Sequence, residues 1–327
     1  MHKFAAEPSL LLESAPEAVP YGLSCDAIMS HFLNKPGFLL ARADQICTSI
    51  HGSITGEETL AQAEFLLLLD TMGATPQIAL ARAAGVDKST TAYVLDNLQA
   101  RGLIERSTDP ADRRRSLVAL TAQGAGRIGR IRGNYQALQQ ELISPLSAED
   151  GERLHDILHR LASNPSSPAP LWVPGAEVLE GAVGFLCRRA LQHFQAQFIA
   201  ATRPFNLTAR QFSLLFILQF RPQLTQATFA RMFGLDPSTC AVIMRSLASR
   251  KFITSAPSPE DGRERVYSLT PTGGEMARRI KPVVDESQPL MFLGESATQL
   301  RWMIQQLQAM VRAHRHRLRF PGSLGSL

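Results

Sequence analysis

The four cysteines in 327 residues, Cys25, Cys47, Cys187 and Cys240, form no CxxC pair and no Cys/His ligand spacing. That favours reduced thiols over a disulfide or zinc framework. Long hydrophobic runs are also lacking. Phe65–Leu69 falls far short of a membrane span, and Met1–Tyr21 has no basic start followed by an apolar core. The expectation is a soluble, cytoplasmic chain that engages no membrane. Paired nucleophile and base, Gly-rich phosphate loop and metal-ligand cluster are missing too, so no enzyme, no metal and no cofactor is expected. Acidic residues are in slight deficit: Lys plus Arg exceeds Asp plus Glu by 34 − 29 = 5, and the pI is about 9.3. Such an excess suits a phosphate-bearing partner, but also an ordinary soluble protein, so the placement of the arginines has to decide.

What the chain does contain is a repeat. Gly85-Val86-Asp87-Lys88-Ser89-Thr90 returns as Gly234-Leu235-Asp236-Pro237-Ser238-Thr239, an offset of 236 − 87 = 149. Held fixed, that offset lays Thr59–Gly124 over Thr208–Gly273 with 21 identities in 66 positions, among them Gln62/Gln211, Arg101/Arg250 and Pro110/Pro259. Two copies of one domain are fused. Between them, residues 164–176 carry four prolines, which remove backbone donors and favour extended conformers. Thirteen residues at roughly 3.3 Å each reach about 40 Å, enough for the second copy to turn back onto the first, with Trp172 a candidate for packing. The domain reading is an arm at 1–22, a first domain at 23–163, the linker at 164–176, a second domain at 177–319 and a tail at 320–327.

Each copy presents the same order of signals. A first helix is expected at about Cys25–Ile50 and Glu177–Ala201, where Gly37–Ala43 matches Gly184–Ala190. A buried helix follows (Ala61–Met72, Ala209–Phe220), then a short one (Pro76–Ala84, Gln226–Phe233), a corner glycine, and a helix capped by Asp87 or Asp236 that runs to Arg101 or Arg250. Ile104 and Ile253 begin a strand, with Leu117–Leu120 and Val266–Leu269 as partners and a polar tip between. Long helices follow, broken near Ser144-Pro145 and Gln288-Pro289, then final helices at about Ala148–Ala162 and Glu295–Arg315. Helix, turn, helix and hairpin make a winged helix-turn-helix. The fold class is mainly α with small β wings, twice, with flanking helices as dimerisation material.

Candidate DNA contacts lie in two places. A recognition helix presents its first side chains to base edges, which selects Lys88, Ser89, Thr90 and Thr91, with Ser238 and Thr239 opposite; the plainer reading is that these hydroxyls only cap and solvate the helix start. At the hairpin tips, Asp112, Arg113, Arg114 and Arg115 in one copy and Asp261, Arg263 and Arg265 in the other place a carboxylate two residues ahead of a guanidinium. An arginine braced in this way is preorganised for a narrow minor groove, although a solvated turn explains one isolated copy as well. The second tip is less basic, because Gly262 and Glu264 stand where the first has Arg113 and Arg115.

These motifs, Asp-x-Ser-Thr, then Leu-x-x-Arg-Gly-Leu-Ile-x-Arg, Asp-x-Arg and Leu-Thr-x-x-Gly across Gly85–Gly124 and Gly234–Gly273, resemble the MarR family of transcriptional regulators. The second copy departs from them at Lys251-Phe252-Ile253-Thr254-Ser255. The resemblance implies a dimer binding double-stranded DNA at an inverted repeat. Here one polypeptide would supply both halves as a monomeric pseudo-dimer, or pair further as a homodimer. It also implies a small aromatic acid or phenolic effector seated between dimerisation helices and winged helix. Arg42 and Arg189 are the candidate clamps for its carboxylate, with Arg188 and His193 nearby; an exposed arginine on an amphipathic helix is the plainer reading. Two alternatives stay open: a protein-binding antirepressor that no longer holds DNA, and a thiol switch at Cys25 or Cys47, which Asp26 and the apolar setting of Cys47 disfavour.

Overall fold

The computed structural model describes residues 24–109, 116–259, 261–287, 292 and 295–320. Its elements divide into two compact units. The described residues within 35–200 and 306–321 form one, and those within 1–34 and 201–305 the other. The units therefore do not coincide with the two sequence copies.

In the first unit, α2 (Pro36–Ile54) leads to α3 (Leu60–Met72), β1 (Thr75–Pro76), α4 (Gln77–Ala84), α5 (Lys88–Ala100), β2 (Ile104–Thr108) and β3 (Ser116–Leu120). Thr59 and Gln62 close a capping box at the start of α3, which satisfies two of the N–H groups a helix start leaves unpaired. Along α3, Phe65–Leu69 is buried throughout, each side chain contributing about 1.5–3 kcal/mol. The hairpin pairs Ile104 with Leu120 through Thr108 with Ser116, and β1 adds a third strand by pairing Thr75 with Val118. That short strand was not expected from the sequence. The unit is completed by α6 (Ala122–Ala125), α7 (Ile128–Ile143), α8 (Ala148–Ala162), α9 (Glu177–Glu180) and α10 (Val183–Ala201). Thus α10, from the second sequence copy, sits in one core with α2 from the first: a Cβ on Gly184 would meet Cys47 Sγ at 2.6 Å.

The second unit repeats the plan with α11 (Ala209–Phe220), β4 (Leu224–Thr225), α12 (Gln226–Phe233), α13 (Pro237–Ser249), β5 (Ile253–Pro257), β6 (Arg265–Leu269) and α14 (Pro271–Ser287). Its sheet order is β4-β6-β5, as the first is β1-β3-β2. Here α1 (Cys25–Phe32) of the first copy contributes His31, stacked 4.9 Å from Phe216, and Phe32, edge-on to Phe233 at 5.1 Å. The last helix, α15 (Ala297–Ala313), passes from this unit's residues to those of the first.

Two expected long helices are corrected. Cys25–Ile50 breaks into α1 and α2, because Pro36 holds the preceding Lys35 extended (φ −101°, ψ 118°) and opens α2 at its first position. Glu177–Ala201 likewise divides at Gly181 into α9 and α10. The break at Ser144-Pro145 is present between α7 and α8, whereas Gln288-Pro289 lies outside the described residues. Leu-Thr-x-x-Gly proves structural. Thr121 donates its Oγ1 to the Gly102 carbonyl at 2.7 Å and accepts the Gly124 N–H at 3.0 Å, and any Cβ on Gly124 would collide with the Leu103 carbonyl. Thr270 and Gly273 repeat this against Lys251 and Phe252.

Candidate nucleic-acid interface and effector recess

Asp87 stands at the N-cap of α5, where its carboxylate accepts the Ser89 hydroxyl at 2.5 Å and the Thr90 N–H and hydroxyl at 2.8 Å. Asp236 does the same for Ser238 and Thr239. These hydrogen bonds, led by the serine hydroxyls, hold both carboxyls well below the usual range. Lys88, Ser89, Thr90 and Ser238 are exposed, and Thr239 is half-buried. Thr91 is a correction: it is 0% exposed and donates back to the Asp87 carbonyl at 2.8 Å, so it belongs to the core face, as does Cys240 in the other copy.

For Tyr93 the sequence leaves two readings open, a phosphate contact or packing under the wing; the rest of the outward stripe further along these helices it passes over. Tyr93 and Val242 occupy the same register and are 72% and 60% exposed. One turn on, Asp96 receives Arg106 of β2 at 2.6 Å, whereas its counterpart Arg245 is exposed and Ser255 replaces Arg106. Helical spacing of Ser89, Tyr93 and Asp96, and of Ser238, Val242 and Arg245, was the signal available.

Asp112, Arg113, Arg114 and Arg115 lie outside the described residues. In the second wing the bracing expectation is corrected: Asp261 accepts the backbone N–H of Arg263 at 2.9 Å, so it fixes the turn, and among the described residues no ion pair joins it to that guanidinium. Arg263 is exposed. Arg265 is held on Ser255, by Nε at 3.0 Å and Nη2 at 2.8 Å to the hydroxyl.

The four candidate clamp residues are all inside the first unit. Arg188 gives both nitrogens of its fork to Glu64, at 3.1 and 2.5 Å, with Tyr135 donating to the same carboxylate at 3.4 Å. Burial opposes this charge, but Glu64 outweighs it and the Arg188 pKa is pushed up. Arg188 is therefore a structural partner with no fork to spare, against expectation. Arg42 is buried, lies over the Phe38 ring at 4.7 Å and donates to Gln45 at 2.8 Å; burial pushes its pKa down to about 10. Neither Arg42 nor Arg189 is the exposed side chain of the plainer reading. Arg189 reaches the Gly85 carbonyl at 2.8 Å, and burial, then Arg188, push it down to about 10. His193 is buried on the same helix. In the same unit burial pushes Cys47 and Cys187 up, and in the second unit it pushes Cys240 of α13 up to about 11. Among the described residues, no group of His, Cys, Asp and Glu has metal-binding geometry, and no helix is long and apolar enough to cross a membrane.

Two helix-turn-helix cores, each followed by a hairpin and each with an exposed recognition-helix start, define a winged-helix transcription regulator built twice. The MarR family profile matches residues 59–116 and again 207–264. The transcriptional repressor NicR of Pseudomonas putida is 32% identical over 120 residues, which are 36% of this chain and 75% of NicR. A probable transcriptional regulator from Pseudomonas aeruginosa, of known crystal structure, is 33% identical, with 38% of this chain and 95% of that one covered and a TM-score of 0.38. Bordetella bronchiseptica BpsR, whose DNA binding is regulated by 6-hydroxynicotinic acid, is 26% identical over 36% of this chain and 84% of its own, with a TM-score of 0.34. The chain belongs to the MarR family.

Proposed function

We propose that this protein is a repressor that binds duplex DNA through two non-identical winged helices of one polypeptide, an intrachain pseudo-dimer, and is released by a small aromatic or phenolic acid. The observation that carries the reading is the duplicated, Asp-capped and exposed helix start, Lys88–Thr90 and Pro237–Ser238, each ahead of a hairpin. That end of a recognition helix is the part that meets base edges in the major groove. Repression follows the likeness to NicR. The family's effector habit and the buried arginines of α2 and α10 support an acidic effector.

The operator would be two half-sites roughly 34 to 36 Å apart, one helical turn. Because the two copies differ at the helix start and at the tips Asp112–Arg115 and Asp261–Arg265, the half-sites would differ too, with the stronger under Lys88 and Arg114. The test is binding of the full chain to duplexes selected from a randomised pool, over a salt series. Affinity should fall steeply with salt, and R114A should weaken it more than R263A. Equal losses refute the asymmetry. Feeble binding that ignores salt refutes the DNA-binding reading and leaves the antirepressor.

A further inference from the structure

Arg188 and Arg189 are neighbours on α10, Arg188 half-buried and Arg189 buried, yet among the described residues only Arg188 has a carboxylate. Arg189 is 3% exposed. Its Nη1 donates to the Gly85 carbonyl at 2.8 Å and to Gln192 Oε1 at 2.6 Å, its Nη2 to the Pro170 carbonyl at 3.0 Å, and among the described residues its Nε has no partner. A buried guanidinium facing only neutral oxygens carries a charge that nothing neutralises, the arrangement burial most disfavours. Its planar fork is shaped for an anion with two oxygens.

The groups that fill this place come from the linker. Pro170 supplies the carbonyl. Two residues on, Trp172 lies 6.0 Å from the Arg189 guanidinium carbon, between Phe185 at 5.6 Å and His159 at 5.7 Å, and is 7% exposed. An acceptor oxygen on a guanidinium with a flat apolar ring beside it is what a small aromatic carboxylate presents. We propose that residues 170–173 are a tethered occupant of an aromatic-acid site built on Arg189, and that the acid binds by displacing them. This rests on release by an acid, as proposed above.

The exchange reaches the reading head directly. Trp172 Nε1 donates to the Ala83 carbonyl at 3.0 Å, Val173 N–H to the Arg82 carbonyl at 3.0 Å, and Arg189 to that of Gly85. These carbonyls lie at the C-terminal end of α4 and its cap, one turn before α5, where a helix runs short of internal donors; that of Arg82 also accepts the Gly85 N–H at 3.2 Å. Displacing the linker strips two donors from that end, so acid binding and the placement of α5 are thermodynamically linked. The acid gains by bringing a full charge to Arg189, and the linker by being attached.

The chain has two tryptophans, so W302F leaves Trp172 as sole reporter. The full-length W302F protein is titrated with 4-hydroxybenzoate and with 6-hydroxynicotinate. Expected are a saturable red shift of Trp172 emission and loss of binding in R189Q. In W172A, calorimetry should give about 10-fold tighter binding, because a tethered competitor at millimolar effective concentration has been removed. Should W172A fail to fold, the emission titration and R189Q decide. Saturable binding with Trp172 emission unchanged, or binding that survives R189Q, overturns the proposal and leaves release by an acid standing. If neither wild type nor W172A binds either acid while duplex binding persists, both the tethered-occupant proposal and acid release fail.

Discussion

Arg188 is gripped by both oxygens of Glu64, at 3.1 and 2.5 Å, where both side chains are largely withdrawn from water. The counterpart of Glu64 in the other copy is Ser213 and that of Arg188 is Ala41, so the pair occurs once. Removing one member strands a buried charge: E64A should destabilise the chain by about 3–5 kcal/mol. Replacing both, as E64L/R188M, should cost far less, because no charge is left to desolvate. Urea denaturation of the two variants checks this, and equal losses would show that the pair contributes packing alone.

Lys251 holds φ at +58°, in the place where the first copy has Gly102 at +68°. A Cβ in the left-handed region costs roughly 1–2 kcal/mol, part of which glycine returns as unfolded-state entropy. K251G should therefore stabilise the second unit by up to about 1 kcal/mol, while G102K should destabilise the first by at least as much. Thermal midpoints of the two variants that move in the same direction would contradict the backbone argument.

The winged helices were legible because their motifs are local. Thr59 with Gln62, Asp87 with Thr90 and Thr121 with Gly124 each act within three residues, and repetition at offset 149 exposed them. Composition of the units was not legible, since nothing near Val183 announces that α10 shares a core with α2. The site was read half correctly for a related reason. Residue type offered Arg189 as a clamp with Arg188 beside it, but a partner 124 positions away, Glu64, decides that Arg188 is neutralised, whereas Arg189 has no carboxylate among the described residues. Thr91 went astray because capping hydroxyls at the start of a helix alternate between outward and inward faces, a distinction that the Asp-x-Ser-Thr-Thr pattern alone does not resolve.

Thiol chemistry should be slow. Cys47 and Cys187 are fully withdrawn from solvent, and burial pushes both up, as it does Cys240 to about 11. Since the thiolate is the reactive species, an aromatic disulfide reagent at pH 8 should modify one thiol rapidly, Cys25, which is half-buried. The other three should react only in denaturant. Rapid modification of Cys47 in the folded chain would revive a redox switch.

Lys88 is the exposed basic residue at the start of α5, and its counterpart is Pro237. If it meets a phosphate, K88A should reduce the slope of log affinity against log salt by about 1 and weaken all duplexes alike. A changed sequence preference with an unchanged slope would place Lys88 on a base edge instead.

Acid should loosen both helix starts together. The Asp87 carboxyl is held low first by the Ser89 hydroxyl and then by Thr90, and Asp236 first by the Ser238 hydroxyl and then by Thr239. A folded-state pKa below the unfolded one means that the charged form is favoured by folding. The stabilisation is then fully present above the unfolded carboxyl range and drains away as pH falls towards the folded value. Asparagine caps a helix about as well as aspartate but does not titrate. The double variant D87N/D236N should therefore lose less thermal midpoint than wild type between pH 5 and the lowest pH at which unfolding stays reversible, on the order of pH 3. Parallel curves would mean that the capping carboxylates contribute nothing specific to acid lability, and that the hydroxyl contacts in the folded chain are matched by equal hydration in the unfolded one.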